Sequence, residues 1–194
     1  VVLAGWSLGI TSLIHESDTV PGLANRFLAR YASKIAISFE ESKKYFPAKK
    51  YILTGNPVRP EILEGSKERG FRYFGLEYGR PVILVTGGSQ GSRKINEVVV
   101  KALPRLLENY QVIHLSGEKN LQELRAKIPV LPAGRLDISK KYYKLYPFLP
   151  ALKMADALAI ADLVISRAGA NVLAEIAALG KPSVLIPLQG RIPA

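Results

Sequence analysis

No cysteine occurs in these 194 residues, which excludes disulfides, thiolate zinc sites and cysteine nucleophiles together. That fits a reducing compartment. Histidine is nearly as scarce, with only His15 and His114. There is no HExxH segment and no group of acids at ligand spacing, so no metal site is expected. Neither a Ser/His/Asp set nor a working pair of carboxylates can be assigned. No apolar run approaches the roughly 18 residues that a spanning helix needs. No signal peptide is visible, and the chain opens on Val1 inside an element, as a fragment would.

Acids are also in deficit, 16 against 27 lysines and arginines, for a net charge of +11. Such a balance favours anionic partners: nucleotide phosphates, nucleic acid or an acidic membrane surface. Much of it is local. Arg26, Arg30, Lys34, Lys43, Lys44, Lys49 and Lys50 face only Glu40 and Glu41 between positions 26 and 50, a local excess of five. That segment is either a solvated basic face or an anion-binding one. No interleaving of aromatic and basic residues accompanies the charge, so nucleic acid is not expected.

What is present is a core-forming sequence, 48% hydrophobic, patterned as alternating strands and helices. Val1–Gly9 reads as the end of an apolar helix, and Thr11–His15 as a strand. Pro21 opens a helix whose periodic residues Val20, Leu23, Ala24, Phe27, Leu28 and Tyr31 should be buried. Lys34–Ser38 and Tyr51–Thr54 read as short strands. The turn-rich Gly55-Asn56-Pro57-Val58-Arg59-Pro60 marks a boundary between domains at 1–60 and 61–194. A mixed helical segment spans Glu61–Leu76. Pro81–Thr86 is a buried parallel strand, followed by a helix from about Arg93 to Glu108. Strands at Tyr110–Ser116 and Tyr142–Leu149, helices at Gly117–Lys127 and Leu152–Ile160, and a loop at Ile128–Lys141 follow. Ala161–Pro187 then runs strand, glycine turn, helix, glycine exit, strand. The alternation predicts an α/β fold with parallel sheets.

In such sheets ligands sit at the carboxyl ends of strands. Three polar groups fall there. Thr86-Gly87-Gly88-Ser89-Gln90-Gly91-Ser92 joins a buried strand to a helix, so its amides and the helix dipole suit an anion. It is neither a Walker A loop nor the dinucleotide fingerprint, because no Gly-Lys-Ser/Thr follows and the glycine spacing differs. Ser166-Arg167-Ala168-Gly169-Ala170-Asn171 is a second such turn, with Glu175 about one turn into its helix. That acid is either a helix-dipole partner or an acceptor for ribose hydroxyls. His15, Glu16, Ser17 and Asp18 form the third group, while His114, inside an apolar strand, reads as a core residue.

HESDTVPGLANRFLARYA, TGNPVR, VTGGSQGS and ADLVISRAGANVLAEIAALGKPSVLIP occur in that order, and the chain resembles the MurG family nearly end to end. These glycosyltransferases add N-acetylglucosamine to undecaprenyl-pyrophosphoryl-muramoyl-pentapeptide (lipid I), giving lipid II. The resemblance implies a GT-B fold, two Rossmann-like domains with a cleft between them, truncated here. It implies UDP-N-acetylglucosamine as donor, lipid I as acceptor, and a peripheral position on the cytoplasmic face of an anionic bacterial membrane. The reaction is an inverting transfer with no metal-binding DxD motif and no cofactor. By motif match, Gly88, Ser89, Gln90 and Gly91 hold the diphosphate, and Arg59 reaches the nucleotide sugar. Glu175 binds the ribose hydroxyls. Ser166, Arg167, Gly169, Ala170 and Asn171 lie near diphosphate and sugar, and Met154 with Phe148-Leu149 flanks the uracil. His15, Glu16, Asp18 and Asn56 face the acceptor side.

The sequence departs from the family in four places. The glycine-rich GGTGGH loop with its candidate base histidine is absent, so no catalytic base is assigned. The chain stops at Ala194, before the glutamine-rich sugar-contacting segment and closing helices. Asp18 stands where the family carries asparagine, and Ile128–Lys141 is longer and more basic. Weak or no turnover is therefore expected of these residues alone, with donor binding retained through Gly88–Gly91 and Glu175. Two other classes fit the same motifs: a GT-B sugar-nucleotide enzyme such as a UDP-N-acetylglucosamine epimerase, and a non-catalytic membrane-associated binding module.

Overall fold

Every strand pairs in parallel with its neighbour, as the alternation of apolar strands and helices requires. A computed structural model describes residues 1–88, 90–128 and 141–187, in two compact units, Val1–Pro57 and Val58–Ala194. The loop expected at Ile128–Lys141 and the residue Ser89 fall largely or wholly outside the described residues. Among the described residues no helix is long and apolar enough to cross a membrane.

The first unit contains α1 (Val2–Ser7), β1 (Leu13–Glu16), α2 (Leu23–Leu28), β2 (Lys34–Ile37), a 3-10 turn at Glu40–Tyr45, and β3 (Tyr51–Leu53). The strands form a sheet in the order β1-β2-β3. Its core is small: Ile14, Ala29, Ala32, Ile35, Ile37 and Phe46. The periodic face expected to be buried on α2 is only partly so: Leu28 is half-buried against the core and Tyr31 is half-buried, but the rest is exposed. Leu23 is 83% exposed, and Val20, Ala24 and Phe27 are exposed with it. The helix is only six residues long, and the chain buries Ala29 and Ala32, just beyond it, in place of its apolar stripe. Trp6 packs edge-on against Tyr31 at 5.1 Å, and Phe27 lies 5.5 Å from the same ring. Trp6, Leu8, Ile10 and Leu13 are likewise exposed, so this unit carries an unusually apolar surface.

The second unit begins with α3 (Pro60–Leu63) and α4 (Lys67–Phe74), two short helices where one mixed segment was expected. Ser66 divides them by capping α4, its hydroxyl accepting from the Arg69 amide. Then follow β4 (Val82–Thr86), α5 (Arg93–Asn109), β5 (Gln111–Leu115), a 3-10 turn at Glu118–Asn120, α6 (Leu121–Lys127) and β6 (Tyr143–Tyr146). The series closes with α7 (Ala151–Ile160), β7 (Leu163–Arg167), α8 (Ala170–Ala178) and β8 (Ser183–Ile186). All five residues of β4 are buried, as a central parallel strand requires. Their alternation feeds two cores. Val82 and Leu84 face α7, α8, α3 and α4, whereas Ile83 and Val85 face α5. Helix α5 runs through Pro104, which removes one helical hydrogen bond. Val99, Leu103 and Leu107 hold it to the sheet around that break.

The strand order is β6-β5-β4-β7-β8. From β4 the chain moves outward through β5 to β6, then returns to the other side of β4 to lay down β7 and β8. The reversal lies between β4 and β7, and crevices at such switch points are where open α/β sheets bind ligands.

Candidate functional site

Both glycine turns sit at that switch point. Thr86 and Ser166 are register partners at the carboxyl ends of β4 and β7, so the loop after one strand stands beside the turn after the other. The first turn is shaped by opposed demands on its glycines. Gly91 has φ +71°, and a Cβ there would run into the Ser116 carbonyl. Gly88 has φ +82° but open space where a side chain would be. Gly169, the residue before α8, is open in the same way. The packed glycine docks the loop on β5, and the open ones leave bare backbone facing the crevice. Ser92 caps α5, its hydroxyl accepting from the Ile95 amide, so the N-terminus of a 17-residue helix points at the loop.

Glu175 is 4% exposed, yet its carboxylate meets a guanidinium. Arg59 Nε lies 2.9 Å and Nη2 2.8 Å from the same oxygen, Oε1. Arg59 precedes Pro60 in the turn before α3, with extended φ and ψ, and its side chain is 51% exposed. Two residues 116 positions apart, both singled out in the sequence, are thus in direct contact.

Other expected residues hold the frame. Arg167 Nη2 donates to the Ser92 hydroxyl at 2.7 Å and Nη1 to the Pro187 carbonyl at 3.1 Å, tying the end of β7 to the cap of α5. Ser166 is fully buried and its hydroxyl donates to the Arg167 carbonyl. Met154, expected beside the uracil, is largely buried. It is 8% exposed and packs in the core with Leu158 and Ile176, because it lies on the sheet-facing side of α7. At that corner Leu149 is buried and Phe148 exposed. Gln90, Ala170 and Asn171 stand at the two turns, with Gln90 and Asn171 exposed. Ser89 lies outside the described residues.

A buried polar network links α5, β5 and β6. Asn96, on the first turns of α5, donates from Nδ2 to the Ser116 carbonyl at 3.0 Å. Its Oδ1 therefore faces His114 Nε2, 2.9 Å away, which donates to it. His114 Nδ1 is left to accept from the Tyr143 hydroxyl at 2.8 Å. Burial lowers the His114 pKa to about 4 and raises that of Tyr143. The expectation that His114 is a core residue holds. Its two polar neighbours left no pattern in the sequence, since Asn96 and Tyr143 come from separate elements.

In the first unit the residues expected on the acceptor side, His15, Glu16, Asp18 and Asn56, cluster at or just beyond the carboxyl ends of β1 and β3. His15 is exposed, and its Nε2 lies 3.1 Å from the Ser38 hydroxyl. That hydroxyl donates to Asn56 Oδ1 at 3.5 Å. Glu16 is buried and accepts from the Asp18 amide and from Asn25 Nδ2, so it organises the turn after β1. Asp18 is exposed, and its carbonyl accepts from the Ser42 hydroxyl. Ser38 and Asn25 also belong to this cluster. A serine closing β2 beside the polar end of β1 is its signal in the sequence.

The family model for the glycosyltransferase family 28 C-terminal domain matches residues 82–192, more than half of the chain. The chain belongs to glycosyltransferase family 28. The model for the N-terminal domain of family 28 matches residues 1–37. The chain is similar to a Bacillus cereus protein named UDP-N-acetylglucosamine–N-acetylmuramyl-(pentapeptide) pyrophosphoryl-undecaprenol N-acetylglucosamine transferase 2. The two are 45% identical over 188 residues, which cover 97% of this chain and 50% of the relative. Among solved structures it is similar to Acinetobacter baumannii MurG, with 30% identity and a TM-score of 0.68, over 98% of this chain and 50% of that one. A Neisseria meningitidis UDP-GlcNAc 2-epimerase bound to UDP-GlcNAc shares the fold, with a TM-score of 0.66 at 17% identity, over 95% of this chain and 54% of that one. The GT-B fold expected from the sequence is therefore the family 28 fold. The chain spans about half the length of the curated relatives it matches.

Proposed function

We propose that the protein transfers N-acetylglucosamine from UDP-N-acetylglucosamine to lipid I, forming lipid II, and that the second unit holds the donor. One observation carries this reading: the glycine turns after β4 and β7, the second leading into the helix that bears Glu175, start from register partners at the switch point, in a chain 45% identical to an enzyme named for that transfer. The open backbone at Gly88 and the N-terminus of α5 suit a diphosphate, whose charge grows as UDP leaves. A buried carboxylate such as Glu175 suits the vicinal hydroxyls of ribose. The chemistry is a direct displacement. An acceptor hydroxyl attacks the anomeric carbon, the bond to the diphosphate oxygen breaks, and configuration inverts. His15, Glu16, Asp18 and Asn56 mark the acceptor side. No base is assigned among these residues.

The first unit is proposed to rest on the cytoplasmic face of the bacterial membrane. Its exposed Trp6, Leu23 and Phe27 supply apolar contact, and Arg26, Arg30 and neighbouring lysines supply charge toward anionic lipid.

Calorimetric titration of the chain with UDP and UDP-N-acetylglucosamine tests donor binding. Micromolar to millimolar affinity for both, with no heat from ADP-ribose, is expected. Glu175→Ala should weaken UDP about tenfold or more, as loss of a charged hydrogen bond would. Unchanged affinity in that variant would return Glu175 to a helix-dipole role. Transfer of labelled sugar to a lipid I analogue, measured on the chain and on a full-length relative, tests the reaction. An epimeric UDP-sugar formed without any lipid acceptor, in place of lipid II, would favour the epimerase class.

A further inference from the structure

The resemblance gives Arg59 a direct contact with the nucleotide sugar, but the structure gives it another partner. Both Nε and Nη2 converge on one oxygen of Glu175, Oε1, at 2.9 and 2.8 Å. A guanidinium that met the whole carboxylate would engage both oxygens in parallel. Here both donors of Arg59 fall on Oε1, so Arg59 leaves Oε2 uncontacted. Arg59 therefore holds the carboxylate through one oxygen and leaves the other to a different donor. Glu175 is buried, so its alternatives are few; Arg59 is half exposed and anchored by backbone lying between Pro57 and Pro60.

We infer that Arg59 is a positioning residue: it fixes Glu175 so that Oε2 accepts from the vicinal hydroxyls of ribose, and it thereby sets the preference for ribonucleotide over 2′-deoxyribonucleotide donors. The inference rests on the donor-site reading above. An oriented buried acceptor loses a partner when a deoxyribose arrives, and that unpaired polar group is the source of discrimination. With Arg59 gone, the buried carboxylate loses its countercharge and its fixed rotamer together, and the discrimination goes with them.

The test titrates the chain with UDP and 2′-deoxy-UDP in four forms: unaltered, Arg59→Ala, Glu175→Gln and the double variant. The unaltered chain should prefer UDP by about tenfold or more. Arg59→Ala should lose most of that preference, chiefly through weaker UDP binding, and Arg59→Lys should restore part of it. The double variant should bind UDP within about twofold of Glu175→Gln alone, because residues acting as one unit are not additive. Equal weakening of both nucleotides by Arg59→Ala, additive with Glu175→Gln, would overturn the inference and assign Arg59 a contact of its own on base or phosphate. A ligand-free measurement separates the failures. Hydrogen exchange at Arg59 Nε should be slow and should quicken at least tenfold in Glu175→Gln. An unaltered chain that binds neither nucleotide overturns the donor reading and the specificity role with it, even where slow exchange still reports the ion pair. Exchange unaffected by Glu175→Gln overturns the pairing itself.

Discussion

Glu175 and Gly91 show how much a single residue can carry here. The acid lies in a helix of apolar residues and is buried, with Arg59 reaching it as countercharge. Gly91 combines a left-handed φ with a Ser116 carbonyl where a side chain would begin. Gly91→Ala should therefore destabilise by at least about 2 kcal/mol in urea denaturation, whereas Gly88→Ala, strained but unobstructed, should cost about 1 kcal/mol. His114 sets a pH dependence. The unfolded chain takes up a proton near pH 6.5, but the folded chain only near 4, because burial disfavours the cation. Its contribution is complete above pH 6.5 and is lost as pH falls toward 4, a span of up to about 3 kcal/mol. Urea midpoints at pH 7, 5.5 and 4.5 should fall more steeply for the natural chain than for His114→Gln.

Among elements, α7 does the most joining. Asp156 on its buried face accepts from the Ser66 amide at 3.0 Å and from Arg69 Nη2 at 2.9 Å, clasping the start of α4. Asp156→Ala would free a cap amide and strip Arg69 of its partner. A loss of about 2 kcal/mol or more is expected, read from the urea midpoint. Helices α5 and α7 were legible in the sequence because long periodic segments announce themselves. The break at Ser66 and the exposure of α2 were not. A six-residue helix shows the same periodicity whether or not anything covers it, and of the apolar residues of α2 only Leu28 is partly covered while Leu23, Ala24 and Phe27 stay exposed. The five-residue strand β4 was unmistakable, since every residue is apolar or β-branched.

Across the whole molecule, apolar material is unevenly distributed. The second unit builds two cores on the faces of a five-stranded sheet, and the first builds one of six residues while leaving Trp6, Leu23 and Phe27 outside. A groove of about 830 Å³ also remains between α5 and the strands β7 and β8, lined by Val98, Ala102, Ile165 and Val184. Helices α7 and α8 pack on the opposite face of the sheet, so the described residues put nothing over it. The surface of the first unit leads to a direct measurement. Trp6 is the only tryptophan, so its emission should shift to the blue on vesicles containing anionic lipid. That shift should weaken sharply between 0.05 and 0.5 M salt, and should be absent on neutral vesicles. Equal shifts on both vesicle types would assign attachment to apolar contact alone.

The sequence by itself determined the parallel α/β architecture, the position of the two glycine turns at strand ends, and the kinship carried by four motifs in order. Each follows from local chemistry: hydrophobic period, the backbone freedom of glycine, and residue identity at fixed spacing. Tertiary structure alone decided that Arg59 and Glu175 form one unit, that Met154 belongs to the core, and that Asn96, His114 and Tyr143 share a buried network. Those facts join residues from separate elements, which only the parallel strand order β6-β5-β4-β7-β8 and the helices packed on it bring within reach of one another.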